Sequence, residues 1–114
     1  MNQQRIDLVT FVNKVIEKTN SNECHWSITS TKDKFQLSFK NGALTIEYVV
    51  ESNWGDEYYK LDVSDASGSV FATYVGNSKN NDNYALLQRL YLSVDNYFKR
   101  IQEEKLAELY KELL

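Results

Sequence analysis

The chain has 114 residues, with 13 Lys and Arg against 16 Asp and Glu and a net charge of -3. This length fits a single domain over residues 1–114 that can fold around its own core. The basic residues form no stripe, so we expect no nucleic-acid partner. No apolar run approaches the roughly 18 residues of a membrane span. The single cysteine and the lack of a signal-peptide pattern indicate a cytoplasmic location.

The first element is a helix predicted over residues 4–19. Residues of one face recur at the i, i+4, i+7 and i+8 spacing of an amphipathic helix: Leu8, Val12, Val15, Ile16 and Thr19. Asn20, Ser21 and Asn22 follow, and these residue types favour caps and turns over helix interiors. We therefore expect the helix to end at this run.

Residues 34–49 carry the strongest strand signal, because apolar and polar residues alternate on both sides of Asn41-Gly42. This pattern predicts a β-hairpin with a two-residue type I′ turn, whose residues need positive φ. The predicted pairs are Lys40 with Ala43, Phe39 with Leu44, Leu37 with Ile46 and Phe35 with Tyr48. The apolar members of these strands would then share one face.

Further strands are predicted on either side of this hairpin. A short strand at about 24–30 would hold Trp26 and Ile28 on one face. Alternation resumes from Tyr59, and residues 65–68 fit a type I turn with Gly68 in a G1 bulge. Two registers stay open after that turn, because Val63 can face either Phe71 or Val70.

The last element is a helix predicted over residues 83–114, with Asn81 or Asp82 as its N-cap. A first apolar stripe consists of Tyr84, Leu87, Tyr91, Val94, Phe98 and Ile101. A second stripe, Leu106, Leu109 and Leu113 with Tyr110 beside it, is rotated by about 80°. So long a helix exceeds the width of the domain. The second stripe therefore either packs on the chain's own first helix or sheet edge, or projects and invites a partner.

These elements predict an α+β fold. It has an antiparallel β-meander of four to five strands, with an N-terminal helix and a long C-terminal helix packed on one face.

The segment VIEKTNSNECHWSITSTKDKFQLSF, followed by a Gly-turn meander and a Leu- and Tyr-rich helix, resembles small uncharacterised bacterial α+β domains. In those domains a helix that ends in a Lys-Thr pair precedes a Trp-bearing strand. The matching residues here are Lys18, Thr19 and Trp26. The resemblance implies the same α+β meander and a bacterial origin, and it supplies no catalytic residue.

Two groups of residues were candidates for chemistry. Cys24 and His25 are adjacent, but neighbours in a strand point to opposite faces, so a catalytic pair is not expected. The carboxylates Asp56, Glu57 and Asp65 occupy positions typical of solvated loop and turn residues. We expect no catalytic residue, no cofactor and no metal site.

A contact surface is the better candidate site. Trp54 lies in a polar loop, where it can anchor an interface or fold back over the sheet. The expected partner surface comprises Trp54, Leu106, Leu109, Tyr110 and Leu113.

The sequence therefore favours a small non-enzymatic binding or regulatory protein that acts through protein–protein contacts, with a homodimer as one form. One alternative is a small-molecule-binding domain or minor enzyme that uses the sheet surface. Another is a mobile-element inhibitor or immunity protein with an acidic surface.

Overall fold

A computed structural model describes residues 5–51, 56–78 and 83–114. One antiparallel sheet has the strand order β1-β2-β3-β4-β5, so each strand pairs with its neighbours in sequence. The fold is the predicted α+β meander with five strands. In chain order its elements are α1 (Leu8–Asn20), β1 (Trp26–Ile28), β2 (Lys34–Phe39), β3 (Gly42–Glu51), β4 (Asp56–Asp65), β5 (Val70–Asn77) and α2 (Tyr84–Glu112).

Helix α1 begins at a side-chain cap. The Asp7 carboxylate accepts a hydrogen bond of 2.8 Å from the Thr10 backbone N–H, and this bond lowers the pKa of the Asp7 carboxyl. Such a cap satisfies an N–H group that has no partner within the helix. The predicted start at residue 4 is therefore wrong, because the helix begins after this cap. The predicted end is confirmed, since Asn20 is the last helical residue and Asn22 has a φ of 63°.

The first hairpin keeps its predicted faces but not its predicted register. Leu37 faces Leu44 and Phe39 faces Gly42, which shifts the pairing by two residues from the prediction. A shift of two preserves the alternation, so the apolar side chains still point toward the helices. The turn residues are Lys40 and Asn41, and neither has a positive φ, so the predicted type I′ turn is wrong.

Gly42 has a different role from the one expected in the turn. It is the first residue of β3 and faces Asp65 of β4. A Cβ at this position would collide with the backbone carbonyl of Ser64. The glycine therefore permits close approach of two strands.

The second hairpin contains a β-bulge that changes both predicted pairings of Val63. Val63 faces Ala72 and Ser64 faces Val70, which leaves Phe71 as the extra residue. The predicted turn itself is confirmed. Gly68 has a φ of 87°, and its N–H donates to the Asp65 carbonyl oxygen at 3.0 Å. The Asp65 carboxylate also accepts from the backbone N–H of Ser67, the turn role expected of it.

Helix α2 starts directly over the end of β5. Gly76 is buried, and a Cβ there would lie 2.6 Å from backbone atoms of Tyr84. The predicted N-cap candidates Asn81 and Asp82 lie outside the described residues, and Asn83 occupies the cap position. The predicted first stripe packs on the core: Leu87 and Val94 are fully buried, and the rest are partly buried against it. Neither described helix is long and apolar enough to cross a membrane.

The end of α1, strand β1 and helix α2 meet at Thr19, which is fully buried. Its hydroxyl accepts a 2.9 Å hydrogen bond from Trp26 Nε1 and donates one of 2.7 Å to the Val15 carbonyl oxygen. Its carbonyl oxygen accepts from Arg100 Nη2 at 3.1 Å. One residue therefore ties three elements of the fold together.

We expect Thr19→Val to lower the free energy of unfolding by about 1–3 kcal/mol, because the buried Trp26 N–H would lose its acceptor. The measurement is urea unfolding followed by tryptophan fluorescence. The control is Thr31→Val at an exposed position. Equal stability of the two variants would contradict this role of the Thr19 hydroxyl.

We expect Gly76→Ala to lower the free energy of unfolding by about 1–3 kcal/mol, because the Cβ would overlap rigid backbone at the start of α2. Gly68→Ala is the comparison, since a Cβ at Gly68 has no atom within 4 Å. This substitution is unfavourable only because of the positive φ at Gly68. Its expected loss is about 1 kcal/mol. A Gly76→Ala protein as stable as the wild type would show that α2 can move off β5 without cost.

Candidate functional site

Among the residues that the structure describes, the two most exposed large apolar side chains, Leu113 and Leu114, lie at the far end of α2. The helix continues without a break to Glu112, and every residue from 102 onward is exposed. We call residues 102–114 the projecting segment. Ile101 is the last residue of α2 that packs against the core.

The width of the sheet explains why the helix projects. Four spacings of about 4.8 Å make a five-stranded sheet about 19 Å wide. Helix α2 starts over β5 at Gly76 and lines a groove with Ile28 of β1 at the other edge. Residues 84–101 span about 26 Å, which suffices for an oblique crossing, and the projecting segment adds about 20 Å. The radius of gyration is 16.2 Å, compared with about 13 Å expected for a compact domain of this length.

The projecting segment carries the predicted second stripe into solvent. The exposed fractions are 60% for Leu106, 59% for Leu109, 61% for Tyr110 and 83% for Leu113. The alternative in which this stripe packs on the chain's own first helix or sheet edge is therefore wrong. The physical reason is that β1 is the edge strand of the sheet that the described residues form, so the helix runs past this sheet beyond β1. Leu114, the residue after Leu113, is 88% exposed and was not predicted.

A groove at the edge of the sheet adjoins the projecting segment. It is lined by Ile28, Phe98, Ile101, Gln102 and Lys105. Ile28 points to the helix-covered face, since it faces Phe35, yet it is 73% exposed. Alternation in the sequence predicted its face correctly but could not show that the helix passes beside it. We call this feature the Ile28 groove.

Trp54, the other candidate for the partner surface, lies outside the described residues. The strand end that follows it carries a polar cluster centred on Glu57. The Glu57 carboxylate accepts hydrogen bonds from the hydroxyls of Tyr48 at 2.5 Å and Tyr84 at 2.7 Å. These bonds lower the pKa of the Glu57 carboxyl and raise the pKa of each tyrosine to about 12.

The structure corrects the prediction that Glu57 is a solvated loop residue. Glu57 belongs to β4 and faces Val50, so it points to the helix side of the sheet and is half-buried. Around it the rings of Tyr48, Tyr59 and Tyr91 pack with centroids 5.1–5.9 Å apart. The hydroxyls of Tyr48 and Tyr84 serve an internal carboxylate. Small-molecule binding by tyrosine hydroxyls on this face stays a prediction.

Cys24 and His25 differ in their surroundings. Cys24 is half-buried, and burial raises the pKa of its thiol above the ordinary value. His25 is exposed on the chain segment leading into β1. A thiol with a raised pKa is a poor nucleophile at neutral pH. Within the described ranges, no three His, Cys, Asp or Glu side chains come together as a metal site.

Comparison of the chain with protein-family models, with curated proteins and with solved structures finds no match.

We expect Glu57→Gln to lower the pKa of Tyr48 and Tyr84 from about 12 toward the ordinary value of 10. The carboxylate favours the protonated hydroxyls, and a neutral amide does so less. Because a raised tyrosine pKa stabilises the fold below pH 10, alkaline unfolding should begin at lower pH in the variant. The measurement is ultraviolet titration of phenolate absorbance between pH 9 and 13, roughly the range these pKa values cover. Glu51→Gln, at an exposed carboxylate, is the control, and identical curves would contradict the assignment.

Proposed function

We propose that this chain is a small non-enzymatic binding or regulatory protein that acts through protein–protein contact. The contact surface is the projecting segment, and the partner is a second copy of the chain. The observation that carries the proposal is the exposure of Leu106, Leu109, Tyr110 and Leu113 on one continuous helix.

The energetics support a contact surface. Fully burying a leucine side chain is worth about 1.5–3 kcal/mol, and five large apolar side chains of the projecting segment are more than half exposed. A contiguous apolar patch on a soluble protein typically marks an interaction site. Residues 84–101 of α2 are anchored in the core. Binding of a partner therefore does not have to order the backbone of this part of the helix.

The proposal includes a cytoplasmic location. The single cysteine is a free thiol, and reducing compartments keep thiols unpaired.

The test compares the intact chain with Leu106→Glu/Leu113→Glu by sedimentation equilibrium over a wide concentration range. We expect the wild type to approach the mass of a dimer. The double variant should raise the dissociation constant by at least about 100-fold, since two buried leucines per copy become charged. Circular dichroism should show an unchanged fold, because these side chains touch no core residue.

Leu92→Glu is the matched control, because Leu92 is a 48% exposed leucine on the same helix outside the projecting segment. It should associate as the wild type does. A wild-type chain that stays monomeric at about 1 mM, where even weak complexes form, would exclude a second copy as the partner.

A further inference from the structure

The apolar stripe of the projecting segment begins at the Ile28 groove. At 100° per residue, four residues fall within an arc of about 60° along one side of α2: Gln102, Leu106, Leu109 and Leu113. Gln102 also lines the Ile28 groove, together with Phe98 and Ile101. The groove and the stripe therefore form one continuous surface.

Helix α1 does not cover this surface. Arg89 hydrogen-bonds to Asn13 of α1, and Arg100 to Thr19 at the end of α1. Both arginines lie about 100° or more around α2 from the stripe. The surface thus faces away from α1 and toward the side where the sheet ends at β1.

Two charged residues flank the stripe on one side, at opposite ends. Lys105 precedes Leu106, and Glu112 precedes Leu113. Among the residues that the structure describes, neither has an ion-pair partner within the chain. Two copies aligned antiparallel, with Leu106 beside Leu109 of the other copy, bring each Lys105 near the other copy's Glu112. A parallel pair leaves both charges unmatched, because these positions then face other residues.

The same alignment fills the Ile28 groove. When Leu106 lies beside Leu109 of the other copy, Leu113 lies beside Gln102, which lines the groove. Leu113 of each copy then reaches the groove where Ile28 is 73% exposed. About two heptads of helix are too short for a stable coiled coil in isolation, so the additional apolar contact with the domain matters.

We infer that two copies of the chain associate as a two-fold symmetric antiparallel dimer. The projecting segments pair along Leu106 and Leu109, and Leu113 of each copy occupies the Ile28 groove of the other. Such an interface is self-complementary and closed, so it ends at two copies. The inference rests on the proposed function. It adds the antiparallel orientation of the two projecting segments and the Ile28 groove as a further part of the binding surface.

The first experiment exchanges charges. In the antiparallel dimer, residue 105 of each copy lies near residue 112 of the other. Lys105→Glu therefore brings two carboxylates together at both contacts, and Glu112→Lys brings two ammonium groups together at both. Each homodimer should be weakened by about tenfold. Mixing the two variants restores both ion pairs. Native mass spectrometry of one variant labelled with nitrogen-15 and the other unlabelled should then show about nine-tenths heterodimer. A heterodimer fraction of one-half, which random mixing gives, would overturn the antiparallel pairing, because residues 105 and 112 face each other only in that orientation.

The second experiment tests the groove. Ile28→Asp should raise the dissociation constant of the dimer at least tenfold without loss of fold, because the side chain is already largely exposed. Val70→Asp is the matched control, since Val70 is a 56% exposed residue of β5 at the opposite edge of the sheet. Equal affinities of the two variants would overturn the role of the groove.

The third experiment separates failure of the orientation from failure of the dimer. Cys24→Ala removes the native thiol, and Asn96→Cys provides an exposed position for a spin label on α2. The two labels should be about 35–40 Å apart in the antiparallel dimer and less than about 20 Å apart in a parallel one. A short distance would overturn the inference and leave the proposed dimer intact. A monomer at all concentrations would exclude both.

Discussion

The arrangement of this fold depends on the hydrogen bonds of one buried threonine. Thr19 ends the apolar face of α1, accepts from the indole of Trp26, and holds Arg100 through its carbonyl oxygen. Strand β1 has only three residues and pairs with a single neighbour, so its ladder alone holds it weakly. The threonine fixes the start of β1 and, through Arg100, the place where α2 passes that strand.

The periodicity of the sequence predicted which face each residue occupies, and the structure confirms most of these assignments. The predicted strand registers of the two hairpins were wrong for local steric reasons. Gly42 is required by the backbone of β4, and the bulge at Phe71 adds a residue that no alternation reveals. Glu57 was expected in a loop because it ends the polar run 51–57. Its tyrosine partners are nine and 27 positions away in sequence, so no local pattern reveals them.

The candidate surface was predictable in part. The spacing of Leu106, Leu109 and Leu113 is visible in the sequence, and so is the excess length of the helix. Whether the stripe would project depended on where α2 crosses the sheet. That path is set by the contact of Gly76 with Tyr84 at one end and by the hydrogen bond of Arg100 to Thr19 at the other. The Ile28 groove was beyond prediction for the same reason. Pairing patterns give the face of a strand residue, but coverage of that face depends on the path of a distant helix.

The isolation of the projecting segment has a consequence for how this protein can change over evolution. Residues 102–114 are all exposed and contribute no buried side chain to the core. Substitutions there have little effect on the free energy of folding, whereas changes at Thr19 or Gly76 act on it directly. Selection on stability and selection on partner choice therefore act on separate parts of one helix. A lineage can exchange the residues of its last turns, and with them its partner, while the domain that carries them stays equally stable.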